Sequence, residues 1–251
     1  MRLALLTDFG TVDPYVAVMK GVLASRTDAA IHDLTHEIPA FDVFAAAWFL
    51  ATVVPWWPQT IFVCVVDPGV GTARKIVAME RGEERFLAPD NGLLTMIGGA
   101  WRAVSVENEA YFLPHGSATF HGRDRFAPVA AALANGTPLD ELGPPMAAIV
   151  RLDYEPPSYG GAIMRGTIVS VDRFGNCITD IEAARITFPR LALHVGEHVI
   201  THSSRAYGEA GKGAFVITGS TGHLEISMAN ANAAQLLRLR RGDRIEVGEE
   251  E

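Results

Sequence analysis

The most constraining feature of the chain is a short apolar run at residues 61–66 that ends directly at an acid, Asp67. A strand made from this run would be apolar on both faces, as strands of parallel sheets covered by helices are. A Pro-Gly-Val-Gly segment at 68–71 follows and is typical of a tight turn, and Arg74 comes three residues later. The pattern predicts a buried strand that places a carboxylate at the edge of an α/β sheet.

Strand and helix signals alternate along the first part of the chain. Short apolar runs predict strands at 2–7, 30–34, 61–66, 75–80, 85–89 and 103–107. Helices are predicted after Asp13-Pro14, from Asp42 to about Leu50, and over 125–136. This alternation predicts an N-terminal α/β domain over residues 1–150, with a mostly parallel sheet.

The sequence changes in character at residues 144–161, where Pro and Gly cluster as in a domain linker. Short β-type runs separated by Gly-rich or polar turns follow, and a helix signal is present only around 230–240. The pattern predicts a smaller all-β domain over residues 160–251, either a barrel or a sandwich.

Composition narrows the classes of function. The formal net charge of −8 disfavours a nucleic-acid or membrane-surface protein. The longest apolar run, at 43–58, is shorter than the ~20 residues that a membrane span needs. The two cysteines, Cys64 and Cys177, have no disulfide or zinc spacing. We therefore expect a soluble cytoplasmic protein with no nucleic-acid or membrane partner.

Polar clusters follow several of the predicted strands. Because ligands of open α/β sheets bind beyond the carboxyl ends of the strands, these clusters are expected to share one rim. They are Asp8; His32, Asp33 and His36; Asp67; Asp90 and Asn91; and His121 and Asp124. Each acid taken alone is also explained by ordinary turn or cap chemistry. The rim could also supply the ligands of a metal-dependent hydrolase, although the segment 32–36 is predicted as strand and turn, which would point its two histidines apart.

Six motifs together resemble one known family. They are LLTDFG, DLTHEIPAFDV, VVDPGVGTARK, APDNGLL, TFHGRDRFAP and DRFGNCITDI. They are similar, in the same order, to motifs of the S-adenosylmethionine (SAM) hydroxide adenosyltransferases, hydrolases related to fluorinating and chlorinating enzymes. The resemblance covers about residues 3–235. It implies an N-terminal α/β domain, a C-terminal β-barrel domain, and a homotrimer with active sites between subunits.

The resemblance also implies roles for individual residues. Asp67, Arg74 and His121 match the hydrolase's catalytic trio. Asp8 matches the acid that holds the ribose hydroxyls, and Phe41 an aromatic residue beside the bound substrate. In the C-terminal domain the substrate-binding positions are Asp172, Phe174 and Asn176 for adenine and methionine, Ser220 for the methionine end, and Glu225 and Asn230 as further candidates. Thr221 stands where relatives often carry Arg.

The implied reaction is hydrolysis of SAM to adenosine and methionine. An activated water would attack C5′ of the ribose in line with the departing sulfonium, with Asp67 and His121 beside that carbon. No metal and no cofactor other than SAM as substrate is expected. The alternatives are the metal-dependent hydrolase and a protein that binds SAM or adenosine without turning it over.

Overall fold

The computed structural model describes residues 1–250, which form two compact units. The first unit is Met1–Asp153, and the second begins at Tyr154. Each unit has its own hydrophobic core. Within these residues no helix combines the length and the apolar character that crossing a membrane requires.

The first unit is a seven-stranded sheet with helices on both faces. Its strands are β1 (Arg2–Thr7), β2 (Ile31–Thr35), β3 (Thr60–Val65), β4 (Ile76–Arg81), β5 (Glu84–Pro89), β6 (Arg102–Ser105) and β7 (Pro145–Met146). Its helices are α1 (Tyr15–Ala24), α2 (Val43–Val53) and α3 (Ala127–Ala134), and a π-helical turn (Gly122–Phe126) leads directly into α3. The strands and helices predicted from the sequence are confirmed, with ends that shift by a few residues.

The sheet is mixed, so the prediction of a mostly parallel sheet is wrong. The strand order is β2-β1-β3-β5-β4-β6-β7. The pairs β1–β2, β1–β3 and β3–β5 are parallel, whereas β4–β5, β4–β6 and β6–β7 are antiparallel. The reason is local: β4 and β5 are joined through Gly82 and Glu83 alone, and Gly82 has φ +59°. A two-residue connection can join only antiparallel strands.

Strand β3 is covered on both faces, as its sequence predicts. Ile61 and Val63 face one core, into which α1 and α3 also pack. Phe62 and Cys64 face the other core, which α2 covers. All six residues of β3 are buried. The central strand that leads to Asp67 is therefore held rigidly from both sides.

Two helix ends differ from the sequence expectation. Asp13 does not cap α1, because Pro14 takes the position before the helix and no side chain caps it. The helix predicted over 125–136 begins at Ala127, since residues 122–126 form the wider π-helical turn instead. Asp42 does cap α2, and its side chain accepts a hydrogen bond from the backbone N–H of Ala45 at 2.9 Å.

The second unit is an antiparallel sheet that is nearly closed into a barrel. Its strands are β8 (Ile163–Val171), β9 (Cys177–Glu182), β10 (Leu191–Val195), β11 (His198–Ile200), β12 (Ala214–Thr218), β13 (His223–Met228) and β14 (Arg244–Glu249), and its helix is α4 (Ala233–Leu237). The order is β11-β10-β14-β8-β9-β13-β12. Beyond β11, the backbone of His202 and Ser204 bonds to Val216 of β12 at 2.9 and 3.0 Å, which brings the two edges together.

Candidate active site

The loop after β3 carries Asp67 outward and returns Arg74 to it. The N–H of Val70 donates to the carbonyl of Asp67 at 3.2 Å, so the chain turns immediately. Gly71 has φ +78°, and a Cβ at this position would lie 2.5 Å from the carbonyl oxygen of Ala118. Only glycine fits both the backbone conformation and this close approach. The turn residues of the sequence thus bring an acid and a cation seven positions apart into contact.

Asp67 and Arg74 form a buried ion pair. The Nε of Arg74 lies 2.9 Å from each carboxylate oxygen, and Nη2 donates to Oδ2 as well. The two side chains are only 5% and 9% exposed, respectively. The guanidinium carbon also lies 5.8 Å from the ring centroid of Phe126. A buried pair with several hydrogen bonds holds its carboxylate in one orientation.

His121 completes the trio through the same guanidinium. Its Nδ1 lies 2.8 Å from Nη2 of Arg74. A guanidinium can only donate, so Nδ1 accepts and the neutral ring carries its proton on Nε2. Burial lowers the pKa of His121, and the charges of Arg125 and Arg74 lower it further, against opposing effects of Asp67 and Asp124. The ring is therefore held neutral, with Nε2–H as a donor.

The π-helical turn determines where His121 lies. The N–H of Ala127 donates to the carbonyl of Gly122, which closes the wide turn directly after His121. A Cβ at Gly122 would lie 3.0 Å from the sulfur of Met19 on α1, so glycine permits close packing there. On its other side His121 lines a cavity of about 520 Å³, together with Thr72 and Arg125. Such turns occur frequently at functional sites.

Asp8 and Phe41 lie at the same edge of the sheet as Asp67. Asp8 follows β1, and Thr7 of β1 pairs in parallel with Val65 of β3. The Oδ2 of Asp8 accepts a hydrogen bond from the backbone N–H of Phe41 at 2.9 Å. Phe41 has φ +67°, which is unfavourable for a residue with a side chain, and it is 71% exposed. The bond thus stabilises a strained residue with an exposed aromatic ring.

Asn91 lies at the same edge of the sheet, and the sequence did not reveal its contact with the strand that carries Asp67. It follows β5, and its Nδ2 donates to the carbonyl of Val66, directly before Asp67, at 2.9 Å. It therefore fixes the end of the strand that carries the acid. The cluster Asp90-Asn91-Gly92 was visible in the sequence, but its contact partner was not, because it lies on another strand.

In the second unit, Asp172 closes a tight loop. Its Oδ1 accepts from the backbone N–H groups of Phe174 and Asn176 at 2.9 Å, and its Oδ2 accepts from the side-chain amide of Asn176 at 2.8 Å. These bonds leave the ring of Phe174 exposed and the amide of Asn176 buried. The three predicted residues therefore form one ordered element.

This loop borders a cavity of about 540 Å³. Four predicted residues line it, and the sequence analysis missed four others. The predicted ones are Asp172, Phe174, Asn176 and Asn230, and the others are Tyr207, Met228, Ala231 and Asn232. Asn232 was missed although Asn before a helix is a recognisable cap signal, and it caps α4. Tyr207 lies in a short turn that carries no sequence signal.

The two remaining predicted residues, Glu225 and Ser220, do not line this cavity. Glu225 on β13 is buried next to the cavity and accepts the O–H of Tyr207 at 2.7 Å. Burial raises the pKa of Glu225, the hydrogen bond from Tyr207 opposes this, and the charge of Asp172 adds to the rise. Ser220 is exposed in the turn between β12 and β13 and is not among the residues that line the cavity.

The polar residues considered as metal ligands have other contacts. His36 Nδ1 lies 2.9 Å from Oγ1 of Thr7, and the ring of His32 packs edge-on against Trp57 at 5.4 Å. Asp90 accepts the backbone N–H of Val150 at 2.8 Å. Within residues 1–250, no group of three or more His, Cys, Asp or Glu side chains is arranged to hold a metal ion.

Comparison with known proteins places the chain in a family. Residues 3–143 match the model of the SAM hydroxide adenosyltransferase N-terminal domain, and residues 166–246 match that of the C-terminal domain. An (R)-S-adenosyl-L-methionine hydrolase of Thermus thermophilus is 40% identical over 94% of this chain and 95% of its own. A fluorinase of Actinoplanes is more distant, at 31% identity over 71% of each chain.

A solved structure is similar to this chain in both fold and sequence. The crystal structure of an uncharacterized conserved protein from Thermotoga maritima has a TM-score of 0.91 and 35% identity, and the match covers 98% of this chain and 100% of that one. The chain described here therefore belongs to the SAM hydroxide adenosyltransferase family.

Proposed function

We propose that this protein hydrolyses SAM to adenosine and methionine. The observation that carries the proposal is the buried trio of Asp67, Arg74 and His121 at the sheet edge, in a member of this family. The similar proteins are (R)-S-adenosyl-L-methionine hydrolases, which supports the epimer with (R) configuration at sulfur as the substrate.

The chemistry needs little more than alignment and a proton acceptor. A water oxygen forms a bond to C5′ of the ribose while the C5′–S bond breaks. The electron pair of the C5′–S bond stays on the sulfur, which leaves as the neutral thioether of methionine. The water proton must leave as this bond forms. Holding water, carbon and sulfur in line makes the displacement effectively unimolecular.

The trio divides this work between its members. Arg74 donates to Nδ1 of His121, so that nitrogen is not free to take a proton. Asp67 is the proton acceptor, and Arg74 fixes its orientation. His121 acts as a donor through Nε2 and orients the water. General-base assistance of this kind is worth about 10²–10⁴-fold in rate.

The same carboxylate favours water over a halide as nucleophile. A chloride ~4 Å from an ionised carboxylate is disfavoured by about 4 kcal/mol at an effective dielectric near 20. Arg74 offsets part of this repulsion, so the preference is a matter of degree. Chloride at high concentration should therefore compete weakly at most.

The remaining predicted residues are assigned to substrate binding. Asp8 accepts from the ribose hydroxyls and Phe41 packs against the substrate. Asp172, Phe174, Asn176, Ser220, Glu225 and Asn230 recognise adenine and the methionine end. Following the family resemblance, we extend the proposal to a cytoplasmic homotrimer in which the second unit of one subunit completes the site of its neighbour. SAM is the only small molecule required. Light scattering tests the trimer.

Turnover measurements test the proposal directly. The (R) and (S) epimers of SAM are incubated separately with the protein, and adenosine and methionine are followed by chromatography. We expect adenosine mainly from the (R) epimer, with oxygen from ¹⁸O-labelled water in its 5′ hydroxyl. Product without label would contradict attack by water.

Two controls separate the alternatives. Asp67→Ala and His121→Ala should lower the rate by at least ~10²-fold. Binding of SAM without any turnover would favour a binding protein instead. Loss of activity on chelation, with recovery on adding a divalent metal, would favour a metal-dependent hydrolase.

A further inference from the structure

The trio of the first unit is almost sealed from solvent. The side chains of Asp67 and Arg74 are 5% and 9% exposed, and His121 is 4% exposed. The proposed reaction nevertheless takes up a water molecule and sets a proton free at every turnover, because cationic SAM gives neutral adenosine and methionine. Water must therefore reach the trio while the substrate is bound.

The cavity of about 520 Å³ lies directly against this trio. His121 lines it, and Gly71 and Thr72 form a wall from the loop that joins the acid of the trio to its cation. The segment 112–118, which leads to the histidine, forms another wall. Both loops that carry the trio therefore frame this cavity, which we call the vestibule.

The vestibule is polar and large enough to hold water. Thr72, Ser117, Asp124 and Arg125 contribute polar groups to its lining. Asp124 is only 3% exposed, and its Oδ2 accepts hydrogen bonds from the backbone N–H of Ser117 at 2.6 Å and from Nη2 of Arg123 at 2.9 Å. The volume far exceeds the ~30 Å³ that a water molecule occupies in the liquid. Solvent therefore reaches the histidine of the trio through an ordered, polar space.

The vestibule reaches the trio from a side that the predicted substrate residues of this unit do not use. Among the described residues, its lining includes neither Asp8 nor Phe41. Its two walls meet where a Cβ on Gly71 would lie 2.5 Å from the carbonyl oxygen of Ala118. Thr72 and Ala118 line the vestibule beside this contact, so the size of their side chains affects its width there.

We propose that the vestibule is the route by which the attacking water reaches the trio while SAM is bound. The inference rests on the proposed function. A small neutral alcohol should follow the same route. The methanol oxygen then forms a bond to C5′, the C5′–S bond breaks with its electron pair kept on sulfur, and the hydroxyl proton goes to Asp67 and from there to solvent. The products are 5′-O-methyladenosine and methionine.

Competition between methanol and water tests the route in two variants. Ala118→Phe narrows the vestibule. Thr72→Ser widens it by one methyl group and keeps the hydroxyl that donates to the carbonyl of Gly69 at 2.6 Å. Ala100→Phe is the matched control, because Ala100 is exposed and does not line the vestibule. Each protein turns over SAM in the same methanol–water mixture, and chromatography gives the ratio of 5′-O-methyladenosine to adenosine, corrected for protein-free reaction. This ratio does not depend on how much of the protein is folded.

We expect Ala118→Phe to lower the ratio by about tenfold, the discrimination that one extra methylene group typically allows, and to lower kcat while KM for SAM stays within ~2-fold. Thr72→Ser should raise the ratio severalfold, and Ala100→Phe should leave it unchanged. If Ala118→Phe does not fold, the ratio in Thr72→Ser decides alone.

The same ratio in Thr72→Ser as in the control, or no methyl ether from any of the proteins, would overturn the inference. A lower kcat in Ala118→Phe at an unchanged ratio would also overturn it, because the substitution would then act on His121 and not on the route. Wild-type protein that forms no adenosine from SAM would instead overturn the proposed function.

Discussion

Replacing Asp67 by Asn is the sharpest test of the trio, because the shape is kept and the charge is removed. Asp67 accepts hydrogen bonds from Nε and Nη2 of Arg74, and both side chains are at least nine-tenths buried. In Asp67→Asn the new amide N–H₂ would meet the N–H groups of the guanidinium. The buried cation would lose its counter-charge, and the water would lose its proton acceptor.

The loss of the counter-charge is measured as a change in stability, and the loss of the proton acceptor is measured as a change in rate. Removing one partner of a buried ion pair costs about 3–5 kcal/mol in the free energy of unfolding. At ~2–4 °C per kcal/mol for a domain of this size, Tm should fall by roughly 6–20 °C. The kcat for adenosine formation, measured by chromatography below the lowered Tm, should fall by about 10²–10⁴-fold.

Asp140→Asn provides the control, because it makes the same chemical change in an exposed pair. Asp140 lies 2.9 Å from Arg102, and the side chains are 76% and 51% exposed. Such pairs contribute about 0–1 kcal/mol, so Tm and kcat should barely change. A folded Asp67→Asn protein with kcat within ~10-fold of wild type would refute the assignment of Asp67 as proton acceptor. An unchanged Tm would refute the buried ion pair.

Two further predictions concern the loop and the histidine. Gly71→Ala should destabilise the protein by about 1–3 kcal/mol more than Gly136→Ala, since both glycines have positive φ but only Gly71 lies against another backbone; equal Tm values for the two variants would contradict this. Because the pKa of His121 is lowered in the folded state, its contribution to stability should be complete above the ordinary value of about 6.5 and be lost as pH falls towards the folded value. The kcat should decline over the same acid range. In His121→Gln, whose amide oxygen can accept a hydrogen bond from Arg74, kcat should depend less on pH in this range. An unchanged pH dependence of kcat in that variant would show that another group titrates.

Much of the fold could be predicted because its signals are local. The apolar runs and helix caps lie within a few residues of each other, and the buried strand at 61–66 is a clear example. The direction of β4 was missed because the prediction used strand composition and overlooked the two-residue turn at Gly82-Glu83. The π-helical turn before α3 was missed because its residues have no distinctive periodicity.

Only some contacts of the candidate site could be predicted from local sequence signals. The pairing of Asp67 with Arg74 follows from turn chemistry, so a single stretch of sequence contained it. The contacts of Asn91 with Val66 and of Tyr207 with Glu225 join different strands and loops, and no sequence spacing encodes them. The exposed position of Ser220, away from the cavity lining, also depends on a turn geometry that the motif alone does not reveal.

The sequence by itself determined which strands are buried and which side chains stand at their carboxyl ends, because hydrophobic periodicity and turn residues act over short distances. The tertiary structure decided the protonation of His121. That state depends on a guanidinium 47 positions earlier in the chain, placed within 2.8 Å of Nδ1 by packing alone. Hydrogen-bond direction and desolvation are properties of groups in contact, so they become fixed only when the fold brings those groups together.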